Sequence, residues 1–299
     1  MLSSERPTAR TEHSNTPRIG LGAMRLTGDG FWGEPPDRQG AIRLLRRAAD
    51  LGVPLIDTAD SYGPFVSEQL IATALHPYRG ILIATKGGLV RPGPDRWHAV
   101  GRPEYLRYCV EMSLRRLRTE TIGLYQLHRV DPAVPLADQV GALAGLREQG
   151  KIAEIGLSEV SVEQIRQARQ VTEIAAVQNH YSLADRGTED VLRYCEAEGL
   201  RFLPWSPVGS GALAAPGGPL ARHAADAGAS AAQLALAWLL RRSPVIWPIP
   251  GTASLPHLEE NVASVRIALS DRDFGALSAL GNDQEKAPVP DGERRSMAN

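Results

Sequence analysis

The chain has 299 residues, of which 43% are hydrophobic and 22% charged, and its formal net charge is -1. This composition is ordinary for a soluble globular protein. A net charge of -1 gives no sign of the large excess of basic residues that is typical of nucleic-acid-binding proteins. The two cysteines, Cys109 and Cys195, fall far apart in predicted helices, so the sequence supports neither a disulfide framework nor a metal site.

The ends of the chain are polar. Residues 1–16 lack the apolar run of a signal peptide. No apolar stretch is long enough to cross a bilayer, and the nearest, residues 231–240, is short enough to be a buried helix. We therefore expect a cytoplasmic protein without a membrane partner. The tails 1–16 and 283–299 are predicted to be loosely held, on either side of one domain at 17–282.

Strand-like and helix-like segments alternate along the chain. The predicted strands cover residues 18–24, 53–57, 81–86, 122–128, 151–158, 175–178, 200–205 and 245–249. The predicted helices cover 37–51, 66–75, 103–117 and 136–149, then one that begins at 161, and finally 188–199, 230–242 and 255–264. Two long loops are expected, at 87–101 after the third strand and at 206–218 after the seventh.

Residues suited to helix N-termini mark several of these boundaries. Asp37, Ser161, Thr188 and Ser230 precede helical patterns, and Pro103 opens another helix. A row of eight β/α units predicts a closed (β/α)8 TIM barrel, an α/β fold with no internal domain boundary. The rival fold, an open doubly wound sheet, usually has a Gly-rich turn after its first strand. The segment 27–33 lacks that spacing, so we favour the barrel.

Four polar residues stand at or just after the ends of consecutive predicted strands. Asp57 closes the second strand and Tyr62 follows it on the loop, while Lys86 and His128 close the third and fourth. In a parallel barrel the carboxyl ends of the strands meet at one face, where active sites are built. The sequence therefore predicts that Asp57, Tyr62, Lys86 and His128 share one pocket.

These four residue types suit proton transfer to a carbonyl oxygen. Tyr62 is the candidate general acid, and a neighbouring ammonium group at Lys86 is expected to lower its pKa. Asp57 can hold Lys86, and His128 can donate to the same oxygen. Because no side chain supplies hydride, a nicotinamide cofactor must. Each residue singly has a common structural role, but their joint occurrence in this order favours the catalytic interpretation.

Short motifs along the chain carry a resemblance to a known family. They are GLGAM at 20–24, IDTADSYG at 56–63, ATK at 84–86, LH at 127–128, IGLS at 155–158, VQN at 177–179 and PIPGT at 248–252. In their order and spacing the chain resembles an aldo-keto reductase from residue 18 to about residue 280. The resemblance implies a (β/α)8 barrel that binds NADP(H) without a Rossmann domain. It also implies catalytic roles for the four residues above.

The resemblance also implies a cofactor site. Ser158 and Gln178 would hold the nicotinamide carboxamide, and Trp205 takes the stacking position where tyrosine or phenylalanine is common. Ser206, Pro207, Val208, Gly209, Ser210 and Gly211 match the loop around the pyrophosphate. Gly251, Thr252 and Ala253 match the turn beneath the adenosine phosphate, at the N-terminus of a helix. The other implied positions are Gly22, Ala23, Met24, Asp57, Ile249, Pro250, His257, Glu260 and Asn261.

Two positions depart from the family pattern. Glu159 stands where asparagine is frequent, and a carboxylate can accept a hydrogen bond from the carboxamide but cannot donate one. His257 is the only basic residue expected near the adenosine 2′-phosphate, where relatives often carry lysine or arginine. NADPH remains our first choice of cofactor despite this departure, and use of NADH is left open.

The substrate is expected to be a small carbonyl compound bound by loop residues. Phe31 and Trp32 are candidates for pocket walls or for loop anchors, Trp97 is a further wall candidate, and Arg129 could bind an anionic group or lie on the surface. Within the family the chain resembles the bacterial pyridoxal reductase (pyridoxine 4-dehydrogenase) branch, through segments such as GLSEV at 156–160.

Three functions remain open at this point. The leading one is NADPH-dependent reduction of an aldehyde or ketone, with a pyridoxal-like compound as one candidate substrate. The second is a tailoring ketoreductase that acts on a natural-product or sugar intermediate. The third, from a different class, is a non-catalytic NADPH-binding interaction protein.

Overall fold

The computed structural model describes residues 17–209, 215–218 and 220–284, except for the side chains of 281–284. The expected tail at 1–16 and nearly all of the tail at 283–299 lie outside these residues. The strands are β1 (Leu21–Gly22), β2 (Leu55–Asp57), β3 (Leu82–Gly87), β4 (Leu89–Gly93), β5 (Arg96–Ala99), β6 (Ile122–Leu127), β7 (Ile152–Ser158), β8 (Ala176–Gln178) and β9 (Arg201–Phe202). In this part of the chain, seven of them form one parallel sheet in the order β1-β2-β3-β6-β7-β8-β9.

The sheet closes into a barrel through residues 246–251. Ile246 bridges to Phe202 of β9, and Gly251 bridges to Gly22 of β1, both in parallel. Pro248 accepts a hydrogen bond of 2.9 Å from the backbone N–H of Gly20. This segment takes the place of the predicted eighth strand, but it is not a regular one, because Pro248 and Pro250 have no N–H to donate to a ladder. The predicted (β/α)8 barrel is thereby confirmed.

The helices are α1 (Arg38–Asp50), α2 (Val66–Leu75), α3 (Pro103–Leu117), α4 (Leu136–Glu148), α5 (Val162–Val171), α6 (Glu189–Glu198), α7 (Ala221–Ala227), α8 (Ala231–Arg242), α9 (Leu255–Ala263) and α10 (Asp271–Gln284). Asp37 caps α1 by accepting from the N–H of Gly40 at 2.7 Å. Ser161 and Ser230 form complete capping boxes. Thr188 stands at the N-cap of α6, but its hydroxyl instead donates to the carbonyl of His180 at 2.8 Å.

One hairpin and two helices were not predicted. The expected loop at 87–101 contains the antiparallel hairpin β4–β5, which lies outside the barrel sheet. The hairpin could not be recognised from the sequence, because Pro92, Gly93 and Pro94 interrupt any alternating apolar pattern. The helices α7 and α10 were also missed. None of the described helices is long and apolar enough to cross a membrane.

Apolar side chains fill the barrel and separate it from the helices. Inside the barrel a small cluster comes from successive strands and the closing segment: Leu55, Ala84, Leu124, Ala176, Leu203 and Ile249. A larger cluster packs the outer faces of the strands against the helices. Both cysteines are buried and unpaired, Cys109 in α3 and Cys195 in α6. Because the barrel interior is packed, a functional site is expected at one end, beyond the strand termini.

Candidate active site

The four predicted catalytic residues meet at the carboxyl end of the barrel. Asp57 ends β2, Lys86 lies near the end of β3 and His128 directly follows β6, and these three strands are neighbours in the sheet. The side chain of Lys86 is fully buried, and its Nζ donates to Asp57 Oδ1 at 2.6 Å and to Tyr62 Oη at 3.3 Å. The structure thus brings Asp57, Tyr62, Lys86 and His128 into one cluster.

Asp57 is held on both of its oxygens. While Oδ1 accepts from Lys86, Oδ2 accepts from the amide nitrogens of Gln178 at 2.7 Å and Gln126 at 3.1 Å. Burial by itself lowers the pKa of Lys86, but attraction to Asp57 and Tyr62 outweighs it, so the pKa ends above its usual value. Lys86 therefore remains a charged donor at neutral pH.

The structure corrects one expectation about Tyr62. Burial raises the pKa of its phenol, Lys86 lowers it and Asp57 raises it, and the pKa ends above its usual value rather than below. The reason is that burial of the phenol, together with the negative charge of Asp57, outweighs the attraction of Lys86. Tyr62 therefore stays protonated through the neutral range, as a proton donor must.

His128 is kept neutral. Burial lowers the pKa of its imidazole well below the usual value, and the cations Lys86, Arg129 and Arg91 lower it further. Its Nδ1 lies 3.2 Å from the hydroxyl of Ser61. If that hydroxyl donates, the ring proton sits on Nε2, which is then the donor available to a substrate. The ring also meets Tyr62 edge-on, with 5.8 Å between centroids.

A cavity of about 1060 Å³ opens in front of these residues. That volume lies at the upper end of the usual range for ligand pockets. Its lining includes most of the predicted residues: Gly22, Met24, Phe31, Asp57, Tyr62, Trp97, His128, Arg129, Ser158, Gln178, Trp205, Ser206, Pro207, Val208, Ile249, Gly251, Thr252, Ala253, His257, Glu260 and Asn261. Lys86 lies behind this lining, and Ala23, Trp32, Gly209 and Pro250 are not part of it. Ser210 and Gly211 lie outside the described residues.

One end of the cavity has an aromatic floor. Trp205 lines it, and its indole Nε1 donates to Glu159 Oε1 at 2.6 Å. The same oxygen accepts from the backbone N–H of His180 at 2.7 Å. Glu159 is not part of the lining. We expected the Glu159 carboxylate to accept a hydrogen bond from the carboxamide. In the structure it instead accepts from the indole of Trp205 and holds that side chain in place.

The other end of the cavity meets the N-terminus of α9. Ser254 caps that helix, and Thr252 Oγ1 accepts from the N–H of Ser254 at 3.0 Å. Arg25 also lines the cavity here, and a Cβ built on Gly251 would lie 3.6 Å from Arg25 Cγ. Within the described residues, Arg25 makes no hydrogen bond or ion pair. The sequence had suggested that His257 is the only basic residue at this end of the cavity, but Arg25 lies there as well.

The side of the cavity near His128 is lined by Phe31, Leu89, Trp97 and Arg129. Trp32 instead packs against Arg91, whose guanidinium carbon lies 5.6 Å from the centroid of the Trp32 ring. Of the two alternatives for Trp32, the structure favours the loop anchor. Lining residues that the sequence reasoning did not single out are Arg25, Thr27, Gly28, Asp29, Gly30, Leu89, Ser230, Ala231 and Ala232.

Arg129 is half-buried in the cavity wall rather than on the outer surface. Its Nη1 donates to the carbonyl of His128 at 2.7 Å and to Ser158 Oγ at 3.1 Å. Its remaining nitrogens bond to no described residue, so they are available to a ligand. Among the described residues no group of three or more metal-ligating side chains comes together.

Comparison with known proteins finds relatives over nearly the whole chain. A model of the Aldo/keto reductase family matches residues 18–282. An uncharacterised oxidoreductase of Schizosaccharomyces pombe is 49% identical over 279 residues, covering 93% of this chain and 91% of that protein. The pyridoxine 4-dehydrogenase of Escherichia coli strain K12 is 38% identical over 289 residues, covering 94% of this chain and 100% of that protein.

Solved structures agree with the fold. An aldo-keto reductase from Klebsiella pneumoniae in complex with NADPH superimposes with a TM-score of 0.75 at 30% identity, covering 89% of this chain and 91% of that chain. The glycerol dehydrogenase of Gluconobacter oxydans superimposes with a TM-score of 0.81 at 27% identity, covering 92% and 94%. Sequence and structure comparisons therefore point to the same group of proteins.

Proposed function

The chain belongs to the aldo/keto reductase family of oxidoreductases, and on this basis we propose that it reduces an aldehyde or ketone with NADPH as the hydride donor. One observation carries the proposal: Lys86, bound to Asp57, donates to Tyr62 at 3.3 Å, beside a neutral His128, at the wall of a large cavity. This is an assembly that can protonate a carbonyl oxygen while the carbonyl carbon accepts hydride.

The roles of the side chains follow from their hydrogen bonds. Tyr62 Oη accepts from Lys86, so its own proton is free to be donated to the carbonyl oxygen. Lys86 stabilises the phenolate that remains after donation, and Asp57 keeps the ammonium in place. His128 donates from Nε2 to the same oxygen and polarises the carbonyl. Bound NADPH supplies the hydride.

The cavity residues fit a dinucleotide. Trp205 offers an aromatic face for the nicotinamide ring, and Ser158 lies beside it. At the far end lies the N-terminus of α9, with Arg25 and His257 lining the same end of the cavity, and the positive end of a helix dipole favours phosphate. The NADPH complex of the Klebsiella pneumoniae relative supports this assignment.

The substrate side favours a planar aromatic carbonyl compound with an anionic or strongly polar group. Phe31 and Trp97 provide flat apolar walls, and Arg129, whose remaining nitrogens bond to no described residue, provides a cation in the same cavity. Pyridoxal, an aromatic aldehyde with a ring hydroxyl, has these features. The name of the Escherichia coli relative, pyridoxine 4-dehydrogenase, supports a pyridoxal-like substrate. A tailoring ketoreductase would share the chemistry and differ only in these walls.

Replacing Tyr62 tests the proposal. Tyr62→Phe removes the proton donor and leaves the phosphate end of the cavity untouched. We expect turnover with pyridoxal or 4-nitrobenzaldehyde to fall about 10²–10⁴-fold, the usual contribution of a general acid. The dissociation constant of NADPH, measured by quenching of protein fluorescence, should change less than about twofold, since Tyr62 belongs to the substrate side.

Tyr108→Phe is the matched control, because Tyr108 is 58% exposed on the outer surface of α3. Near-normal turnover in Tyr62→Phe would rule out Tyr62 as the acid. Tight NADPH binding without turnover on any aldehyde in wild type would instead favour the non-catalytic interaction protein.

A further inference from the structure

Glu159 holds Trp205 from outside the cavity. It directly follows β7, with its backbone in the left-handed region at a φ of 55°. Its Oε1 receives two short hydrogen bonds, from the indole of Trp205 at 2.6 Å and from the backbone of His180 at 2.7 Å. The indole lines the cavity and the carboxylate does not. A negative charge is therefore fixed at the edge of the cavity's aromatic floor.

Other charges around this carboxylate are few and partly paired. His180 Nδ1 faces Asp185 Oδ2 at 3.2 Å. Arg129 is attracted to Glu159, but its hydrogen bonds to the described residues go to His128 and Ser158. Arg129 thus reduces the field of Glu159 at the cavity without forming an ion pair that would neutralise it.

A charge in this place distinguishes the two redox states of the cofactor. The nicotinamide ring carries a positive charge when oxidised and none when reduced, so a nearby carboxylate stabilises the oxidised ring through space. An indole that donates its N–H to a carboxylate also has a more electron-rich face, which strengthens stacking with a cationic ring. Both effects act in the same direction.

We propose that Glu159 is a positioning residue that orients the indole of Trp205 and makes the site bind NADP⁺ more tightly than it would without the carboxylate. The inference rests on the proposed function, because it requires the nicotinamide ring to stack on Trp205. Glu159 thereby shifts the bound couple towards the oxidised state and favours carbonyl reduction, the direction that leaves NADP⁺ on the protein.

Glu159→Gln tests the charge while keeping an oxygen that can accept from the indole. We expect the dissociation constant of NADP⁺ to rise about three- to tenfold, the effect of one charge acting across a side chain in a partly solvated site. The dissociation constant of NADPH should change less than about twofold, because the reduced nicotinamide ring is uncharged. Both constants can be measured by calorimetric titration. Glu163→Gln, on the exposed surface of α5, is the control.

Trp205→Phe provides a second measurement, because it removes the N–H and keeps the carboxylate. We expect weaker binding of both cofactors with most of the NADP⁺ to NADPH ratio retained. Equal shifts of both constants in Glu159→Gln, or no shift in either, would overturn the proposal. So would loss of the ratio in Trp205→Phe alone. Failure of wild type to bind either cofactor would instead contradict the proposed function, before any variant is compared.

Discussion

A fully buried ammonium group is costly unless every one of its protons has a partner, and Lys86 meets that condition. Its three donors reach Asp57 Oδ1 at 2.6 Å, the carbonyl of Thr58 at 2.9 Å and Tyr62 Oη at 3.3 Å. The first two partners are anchored in or beside β2, so the ammonium is fixed in direction. The third is the proposed acid, which lines the cavity together with Asp57.

A second buried acid lies on the same loop as Tyr62. Asp60 is 4% exposed, and its Oδ1 has no hydrogen-bond partner. Burial and the nearby carboxylate of Glu68 raise the pKa of Asp60 to about 8, although Arg116 opposes them. Asp60 is therefore a neutral acid at physiological pH, packed behind the residues that carry the proposed chemistry.

This raised pKa makes folding stability depend on pH. An unfolded aspartate loses its proton near about pH 4, whereas folded Asp60 keeps its proton up to about pH 8. Between these values the native state binds the extra proton, so its stability falls as pH rises through the window and levels off above it. Asp60→Asn removes this dependence. From pH 5 to pH 8, wild type should lose up to about 4 kcal/mol more unfolding free energy than the variant.

Urea denaturation at the two pH values measures the difference. Asp50→Asn is the matched control, because Asp50 is an exposed aspartate near the end of α1. If wild type and Asp60→Asn lose the same free energy between pH 5 and pH 8, Asp60 is ionised in the native state and the assignment is wrong.

At the scale of elements, the hairpin β4–β5 is tied to the site by Arg91. Its Nη2 donates to the carbonyl of Gly30 at 2.8 Å, and its Nη1 donates to the carbonyls of Phe31 at 3.1 Å and Ser61 at 3.3 Å. Its guanidinium also lies 3.7 Å from the ring centroid of Trp97. One buried cation thus joins the hairpin, the loop after β1 and the loop that carries Tyr62.

Arg91→Met should loosen all three segments together. The variant keeps an apolar stem but removes a donor from three carbonyls, of which that of Phe31 still accepts from the N–H of Gly63 at 3.0 Å. A buried carbonyl left without any donor costs about 1–3 kcal/mol. We expect a clear fall in melting temperature and a KM for aromatic aldehydes raised at least about tenfold, because Phe31 and Trp97 lose their fixed positions. The dissociation constant of NADPH should change little, since the phosphate end is remote from the hairpin.

Arg96→Met tests whether any arginine of the hairpin has this effect, because the side chain of Arg96 is exposed. Melting curves and steady-state kinetics on both variants check the prediction. A KM in Arg91→Met that matches the control would mean that the walls of the substrate pocket do not depend on Arg91.

The catalytic cluster was predictable because it rests on local patterns and on strand order. Asp57, Lys86 and His128 lie at or beside the carboxyl ends of β2, β3 and β6, which are neighbours in the barrel sheet. The hairpin could not be predicted in this way, because Pro92 and Pro94 interrupt its pattern. Pairings between distant segments were also out of reach: Glu159 and Trp205 are 46 positions apart. Nothing in the local sequence of either residue indicates the other.

The net pKa of Tyr62 shows the same limit in energetic form. The sequence identifies a tyrosine and a lysine that could meet, and it correctly suggests that the ammonium lowers the pKa of the phenol. It does not contain the depth of burial or the opposing charge of Asp57, which decide the net direction. The net pKa depends on burial and on the charges of many neighbours, and these are known only once the fold is known.

For the whole molecule, closure of the barrel creates the phosphate end of the cavity. The bridge between Gly22 and Gly251 joins the first strand to the closing segment 246–251. Arg25, which follows β1, thereby comes to lie beside the turn that leads into α9. The proposed catalytic residues lie on or just after β2, β3 and β6, whereas the proposed cofactor surface runs from β7 to the closing segment. A cofactor bound along that surface crosses the site from one side and leaves the other to the substrate.

This arrangement predicts the choice of cofactor. Arg25 is always charged, and together with His257 and the N-terminus of α9 it favours a bound phosphate. We expect wild type to bind NADPH more tightly than NADH. Arg25→Gln should weaken NADPH binding about tenfold by removing a charge-assisted hydrogen bond. It should also make the remaining affinity less sensitive to salt, since fewer charges then attract the phosphates. Fluorescence titrations with both cofactors at two salt concentrations measure these effects.

Arg46→Gln is the control for Arg25→Gln, because Arg46 is exposed on α1 and does not line the cavity. The same titrations on this variant should reproduce the wild-type affinities at both salt concentrations. An effect of Arg25→Gln no larger than that of Arg46→Gln would show that the guanidinium does not contact the cofactor. Equal or tighter binding of NADH by wild type would contradict the choice of NADPH itself. The catalytic cluster would be untouched by either result, because it depends on β2, β3 and β6 and not on the junction between Gly22 and Gly251.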